Sequence, residues 1–193
     1  MIRIGILGGI GSGKSYVAKN FGYPVFNADL VVGELYKKDK KIFNKLKKVL
    51  SKYIYSFPIN KDEISESILA NKSNLKKIVN IVHLEVRKEM NIFLKKNKNK
   101  KVVILDVPLL LENKINNEKD ILVFVDAKKS DILKKLKKRN NFNQQLFDKF
   151  KEIQLPVDYK KKKSQFIIKN NFTNKSVKKK IEKILKKLNK WKK

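Results

Sequence analysis

Apolar residues recur along this chain with two different spacings, and the alternation between them outlines the fold. Ile2 to Leu7 is a short apolar run, the length of a buried strand, and it ends in glycines. Lys14 to Phe21 reads as a helix, and Tyr23-Pro24-Val25-Phe26-Asn27 reads as a second strand entered through Pro24. From Leu30 to Lys96 the spacing becomes helical: Phe43, Leu46, Val49 and Leu50 are expected to share one face. Leu75, Ile78, Val79, Val82, Val86, Met90, Phe93 and Leu94 form a second stripe, with a break at Pro58 between them. Strand character returns at Lys101 to Asp106 and at Ile121 to Asp126, both continuous apolar runs suited to parallel strands covered on both faces. Phe166-Ile167-Ile168 is a last short strand. A closing helix, Asn174 to Trp191, places Val177, Ile181, Ile184, Leu185, Leu188 and Trp191 on one side, with Trp191 as a packing anchor.

Strands that alternate with helices predict an α/β fold with a doubly wound parallel sheet, whose ligands collect at the carboxyl ends of the strands. At 193 residues one domain is expected, 1–193. The block 30–96 is too long for a crossover and predicts an inserted helical substrate region. The basic stretch 130–154 predicts a helical lid.

Composition narrows the classes. Hydrophobic residues make up 41% of the chain, enough for a packed core, and the absence of cysteine excludes disulfides and thiolate metal sites. The longest apolar run, Val102 to Leu111, is interrupted by Asp106 and Pro108 and is too short to span a bilayer. With no signal-peptide pattern after Met1, a cytoplasmic protein without a membrane partner is expected. The net charge of +30 invites a nucleic-acid reading. Against it, only three of the 48 basic residues are arginine (Arg3, Arg87 and Arg139), the side chain best suited to reading bases. The lysines travel with asparagine and isoleucine, as in Lys95 to Lys101, and are read as solvated faces; no specific nucleic-acid partner and no obligate protein partner are expected.

The chemistry begins at Gly8-Gly9-Ile10-Gly11-Ser12-Gly13-Lys14-Ser15, which fits G-x-x-x-x-G-K-[ST] between a strand and a helix. Such a loop turns successive backbone N–H groups inward and adds the positive end of a helix dipole, so it binds a nucleoside triphosphate. Gly11, Ser12, Gly13, Lys14, Ser15 and Tyr16 are the candidate nucleotide contacts. Lys14 reaches the β- and γ-phosphates, and Ser15 offers its hydroxyl to Mg²⁺. Asp106, at the end of an apolar strand, is the candidate second Mg²⁺ ligand, with a plain loop residue as the other reading.

Phosphoryl transfer to an alcohol also calls for a carboxylate to take the hydroxyl proton. Asp29 fits, although the residues alone equally allow it to cap a helix starting at Leu30. Arg139 stands out in a chain that otherwise uses lysine, and its planar guanidinium suits a lid closing over ATP. Arg87 follows the same reasoning within the helical block. His83 lies one turn before it, so the two can face a common ligand or His83 can be structural. Glu112 either pairs with a cation of the substrate or lid, or is solvated.

With these residues in place the chain resembles the dephospho-coenzyme A kinase family over nearly its whole length. The resemblance rests on the Gly8 to Ser15 loop, on Asn27-Ala28-Asp29 where the family usually shows Asp-Ala-Asp, and on Asp106-Val107-Pro108-Leu109-Leu110-Leu111-Glu112. His83 to Arg87 and Gln154-Leu155-Pro156 add two shorter matches. It implies a three-layer P-loop kinase with a five-stranded parallel sheet, using ATP and Mg²⁺ to phosphorylate the ribose 3′-hydroxyl of dephospho-CoA. Asp29 would then be the base, the helical block would bind the CoA portion through His83 and Arg87, and Arg139 would belong to the lid. Tyr16 stands in place of Thr, Leu84 in place of Pro, Ser164-Gln165 in place of Ala-Asp and Phe172 in place of Gly. Rival readings are a nucleoside monophosphate kinase or another small-molecule P-loop kinase, and a nucleic-acid-binding P-loop ATPase.

Overall fold

Strands Ile2–Gly8 (β1), Val25–Asn27 (β2), Val102–Asp106 (β3), Ile121–Asp126 (β4) and Phe166–Lys169 (β5) pair in parallel in the order β2-β3-β1-β4-β5. The structure is a computed structural model and describes residues 1–138 and 142–190. Helices occupy Lys14–Asn20 (α1), Ala28–Lys38 (α2), Lys40–Val49 (α3), Lys61–Ala70 (α4), Lys72–Lys96 (α5), Lys129–Lys137 (α6), Gln144–Glu152 (α7), Val157–Lys163 (α8) and Asn174–Lys190 (α9). The chain divides into two compact units. The first comprises Met1–Asn27, Asn97–Phe142 and Leu155–Lys193, and the second Ala28–Lys96 and Asn143–Gln154.

The strand runs are apolar throughout because the sheet is covered on both faces. Side chains alternate across a strand, so Ile4, Ile6, Val102, Ile104, Val123, Val125 and Ile168 point one way and meet Val17, Ala18 and Phe21 of α1 and Val177, Ile181, Ile184 and Leu188 of α9. The intervening residues Leu7, Val103, Leu105, Leu122 and Phe124 are buried as well. On their side the turn after β3 lies flush on the sheet: a Cβ at Gly5 would stand 2.5 Å from Leu110 Cδ2, so only glycine fits there. Arg3, one of the few arginines, is structural. Its guanidinium makes a two-pronged pair with Asp120, at 2.8 and 2.9 Å. Burial pushes the Asp120 carboxyl up, opposed by the Asn117 N–H and by Arg3.

The second unit gathers α2, α3 and α4 around the long α5, and α7 packs against α4 and α5. Leu75, Ile78, Val82, Val86 and Met90 are buried along α5, following the helical stripe, whereas Val79, Phe93 and Leu94 are only partly covered. On α3 the buried face is carried by Ile42 and Leu46, with Val49 44% exposed. The expected face of Phe43 and Val49 is therefore rotated by about one position. Asp39 caps the helix start, accepting from the Lys41 and Ile42 N–H groups. Phe43 instead packs its ring against Phe57, 5.5 Å between centroids. Glu63 is buried because it ties down the loop before α4, accepting from the Tyr55 and Ser56 N–H groups and from the Ser56 hydroxyl.

Within the stretch 130–154, α6 belongs to the first unit and α7 to the second, as two separate helices. Trp191 and Arg139 lie outside the described residues.

Candidate active site

The loop between β1 and α1 is bent by glycine. Gly13, the N-terminal cap of α1, has φ +88°, where a side chain would be strained, and a Cβ there would stand 2.4 Å from Asn170 Nδ2. Lys14 folds its ammonium back over the loop, donating to the carbonyl oxygens of Gly9 at 2.9 Å and Gly8 at 3.3 Å. The charge is thus held where a polyphosphate would lie among the loop N–H groups. Gly11, Ser12, Gly13, Lys14, Ser15 and Tyr16 are continuous through this turn and the first turn of α1.

A buried asparagine that the sequence reading did not single out braces the loop from the side. Asn170, at the carboxyl end of β5, donates from Nδ2 to the Ser12 carbonyl at 2.9 Å and accepts from the Phe172 N–H at 2.9 Å. Phe172 adopts φ +61°, and its ring lies under the Lys135 ammonium, 4.5 Å from the centroid. Tyr16 donates its hydroxyl proton to Asn174 Oδ1 at 2.6 Å, a second tie between α1 and the start of α9. The signal for Asn170 was positional: a polar residue ending a buried strand on the side of the sheet where ligands gather.

Asp106 is buried at the end of β3, next to Asn27 in the β2–β3 register, and accepts from Asn27 Nδ2 at 2.7 Å. Its carboxylate is a hard oxygen donor of the kind that Mg²⁺ takes. Among the described residues no group of three or more His, Cys, Asp or Glu gathers to hold a metal by itself. A Mg²⁺ carried in on nucleotide phosphates needs fewer protein ligands than that.

Asp29 is exposed, two residues beyond Asn27, in the first turn of α2. The helix starts at Ala28, so the expectation of a cap at a helix beginning with Leu30 is displaced: Asp29 is inside the helix, and its charge faces the positive end of the dipole. Glu112 is neither solvated nor turned to a ligand. It pairs with Lys160 Nζ at 2.8 Å, with the two side chains 1% and 8% exposed for Lys160 and Glu112.

His83 and Arg87 lie one turn apart on α5 in the second unit. His83 Nε2 is buried without a hydrogen-bond partner. Burial, and then the neighbouring Arg87 charge, lower its pKa from the usual imidazole value, so the ring is held neutral. The first unit therefore assembles the loop residues with Asp106, and the second carries Asp29, His83 and Arg87.

Set beside known proteins, residues 2–178 match the family model for dephospho-CoA kinase. The chain belongs to the dephospho-CoA kinase family. Among curated members, the dephospho-CoA kinase of Wolbachia sp. subsp. Brugia malayi is 38% identical over 170 residues, covering 86% of this chain and 87% of that one. The enzyme of Wolbachia pipientis wMel is 36% identical over 191 residues, covering 96% and 97%. The fold agrees with the solved structure of the Campylobacter jejuni dephospho-CoA kinase, with TM-score 0.65 at 20% identity over 99% and 98% of the two chains. The family is one of P-loop kinases that bind a nucleotide and complete coenzyme A synthesis.

Proposed function

We propose that this chain transfers the γ-phosphoryl group of ATP to the ribose 3′-hydroxyl of dephospho-CoA, with the residues of the β1–α1 loop as its phosphate site. The observation that carries this reading is the Lys14 ammonium folded over a glycine-bent loop at a helix start, beside a buried carboxylate at the end of β3. Backbone N–H groups from Gly11 to Tyr16 hold the phosphates, and Lys14 neutralises charge that spreads over the transferring group. Ser15 and Asp106 would hold Mg²⁺, which supplies further neutralisation of the phosphates when bound. Asp29 accepts the proton of the attacking hydroxyl, a role compatible with its exposure. His83 and Arg87 bind the CoA portion, Arg87 as a cation for phosphate and His83 as a neutral hydrogen-bonding ring. The family resemblance assigns Arg139 to the nucleotide, its guanidinium suited to phosphate. The reaction belongs to the cytoplasm, where ATP is held, and needs no protein partner.

The test is a coupled ADP-release assay offering dephospho-CoA, nucleoside monophosphates and DNA in parallel. Turnover with dephospho-CoA alone supports the reading. Preference for a nucleoside monophosphate, or hydrolysis stimulated several-fold by DNA, would replace it.

A further inference from the structure

Lys160 is the buried lysine among the described residues, and what it meets is a carboxylate with a second partner. Glu112 Oε1 accepts from Lys160 Nζ at 2.8 Å and from the Leu155 backbone N–H at 3.0 Å, while Oε2 is buried with no hydrogen bond. Leu155 is the residue at which the chain re-enters the first unit after α7, the boundary falling between Gln154 and Leu155. The carboxylate has a rigid base. Glu112 lies within a run of tight turns in which the Leu110 carbonyl accepts from the Ile115 N–H at 3.0 Å and the Leu110 side chain is wedged against Gly5 of β1. On its other side, α8 starts directly after Pro156, and Val157 Cγ2 lies 3.9 Å from where a Gly9 Cβ would be, against the phosphate loop.

We propose that Glu112 is a positioning residue for phosphoryl transfer, acting through the Leu155 N–H. It fixes the backbone from which α8 starts and, through Val157, the side of the phosphate loop at Gly9. Lys160 serves to aim that carboxylate. Three features support this division. Oε1 takes both donors, so the one carboxylate oxygen is aligned on the Leu155 N–H as well as on the ammonium. The segment it holds, Leu155 to Val157, lies within the first unit and reaches Gly9 of the phosphate loop. The turn carrying Glu112 begins at Asp106, so the carboxylate and the candidate Mg²⁺ ligand share one segment of that unit. The inference rests on the kinase reading above, and wild-type turnover of dephospho-CoA is the control that separates its failure from a failure of that reading.

Two double variants separate positioning from simple core stability. A buried pair replaced on both sides by apolar groups leaves no stranded charge, so Glu112→Leu/Lys160→Met should melt near the wild type while the Leu155 N–H loses its acceptor. Glu112→Gln/Lys160→Met also removes the charges, but its amide oxygen can still accept from Leu155. The expected result is kcat lowered about tenfold or more in the first, with KM for ATP little changed, and restored to within about threefold of wild type in the second. Wild-type kcat in the leucine variant, or equal losses in two folded variants, would overturn the proposal. Should the leucine variant fail to fold, amide hydrogen exchange on the wild-type enzyme decides. A Leu155 amide protected both free and with ATP plus dephospho-CoA supports a backbone held by Glu112, and one exchanging as fast as an open loop rejects it.

Discussion

Asn27 and Asp106 meet across β2 and β3, with the amide Nδ2 2.7 Å from the carboxylate Oδ2. Asp106 is buried and needs a donor at that oxygen, and an amide provides one without adding charge. An aspartate at position 27, the residue the family usually shows, would face Asp106 carboxylate to carboxylate unless a proton or a cation lay between them. Asn27 therefore orients Asp106 independently of either.

Asn27→Asp is accordingly expected to lower stability by about 1–3 kcal/mol at neutral pH, from a lost hydrogen bond and a like-charge contact. The new pair would bind a proton more tightly when folded than when unfolded, so the deficit should shrink as pH falls toward 5 and grow as it rises. Denaturant midpoints of both proteins across that range, without divalent ions, measure it. A pH-independent deficit would contradict the contact.

Lys14→Ala should leave a folded protein. The amine bonds to two loop carbonyls but contributes nothing to the apolar core, so melting should shift by only a few degrees while kcat falls by about 10² or more. Thermal melting and turnover on one preparation check this, and a collapsed melt with a proportional loss of activity would assign the lysine a structural role.

For Asp29→Asn the loss should lie almost wholly in the chemical step. Because α2 begins at Ala28, Asp29 lies inside the first helical turn, and Asn keeps its size and a hydrogen-bonding oxygen, so stability should change by about 1 kcal/mol or less. Asn cannot take a proton, so kcat should fall by roughly 10² or more with ATP affinity preserved. Near-normal CoA production would remove Asp29 from the base role.

His83 sets a pH dependence of known sign. Its pKa is lower folded than unfolded, so the unfolded chain takes up the proton first, and stability present above the usual value of 6.5 is lost as pH falls below it. Urea midpoints between about pH 7.5 and about pH 5.5 should fall more steeply for the wild type than for His83→Gln. Parallel curves would mean that the ring is protonated as easily folded as unfolded.

Much of this was legible in the chain because the strands are read on both faces at once. Ile2 to Leu7, Val102 to Asp106 and Ile121 to Asp126 needed no partner to be recognised, and the glycines of the loop declared their backbone directly. What was not legible depended on neighbours distant in sequence. Asn170 looks like any polar residue after a strand until it is seen against the Ser12 carbonyl, 158 positions away. Glu112 was read as pairing with a cation of the substrate or lid or as solvated, and nothing local to it points to Lys160, far along the chain in α8. On α3 Ile42 rather than Phe43 turns inward, because the Phe43 ring is taken up by Phe57, a neighbour that the helical spacing does not show.

The burial of Lys160 gives this molecule a built-in chemical clock. Amine-acylating reagents modify an accessible lysine within minutes, and the exposed lysines would be consumed at once, whereas an ammonium with 1% of its side chain exposed reacts only when the structure around it opens. The slow acylation of that single amine, followed by mass spectrometry as substrates are added, would time the opening of this part of the protein without a label or a mutation.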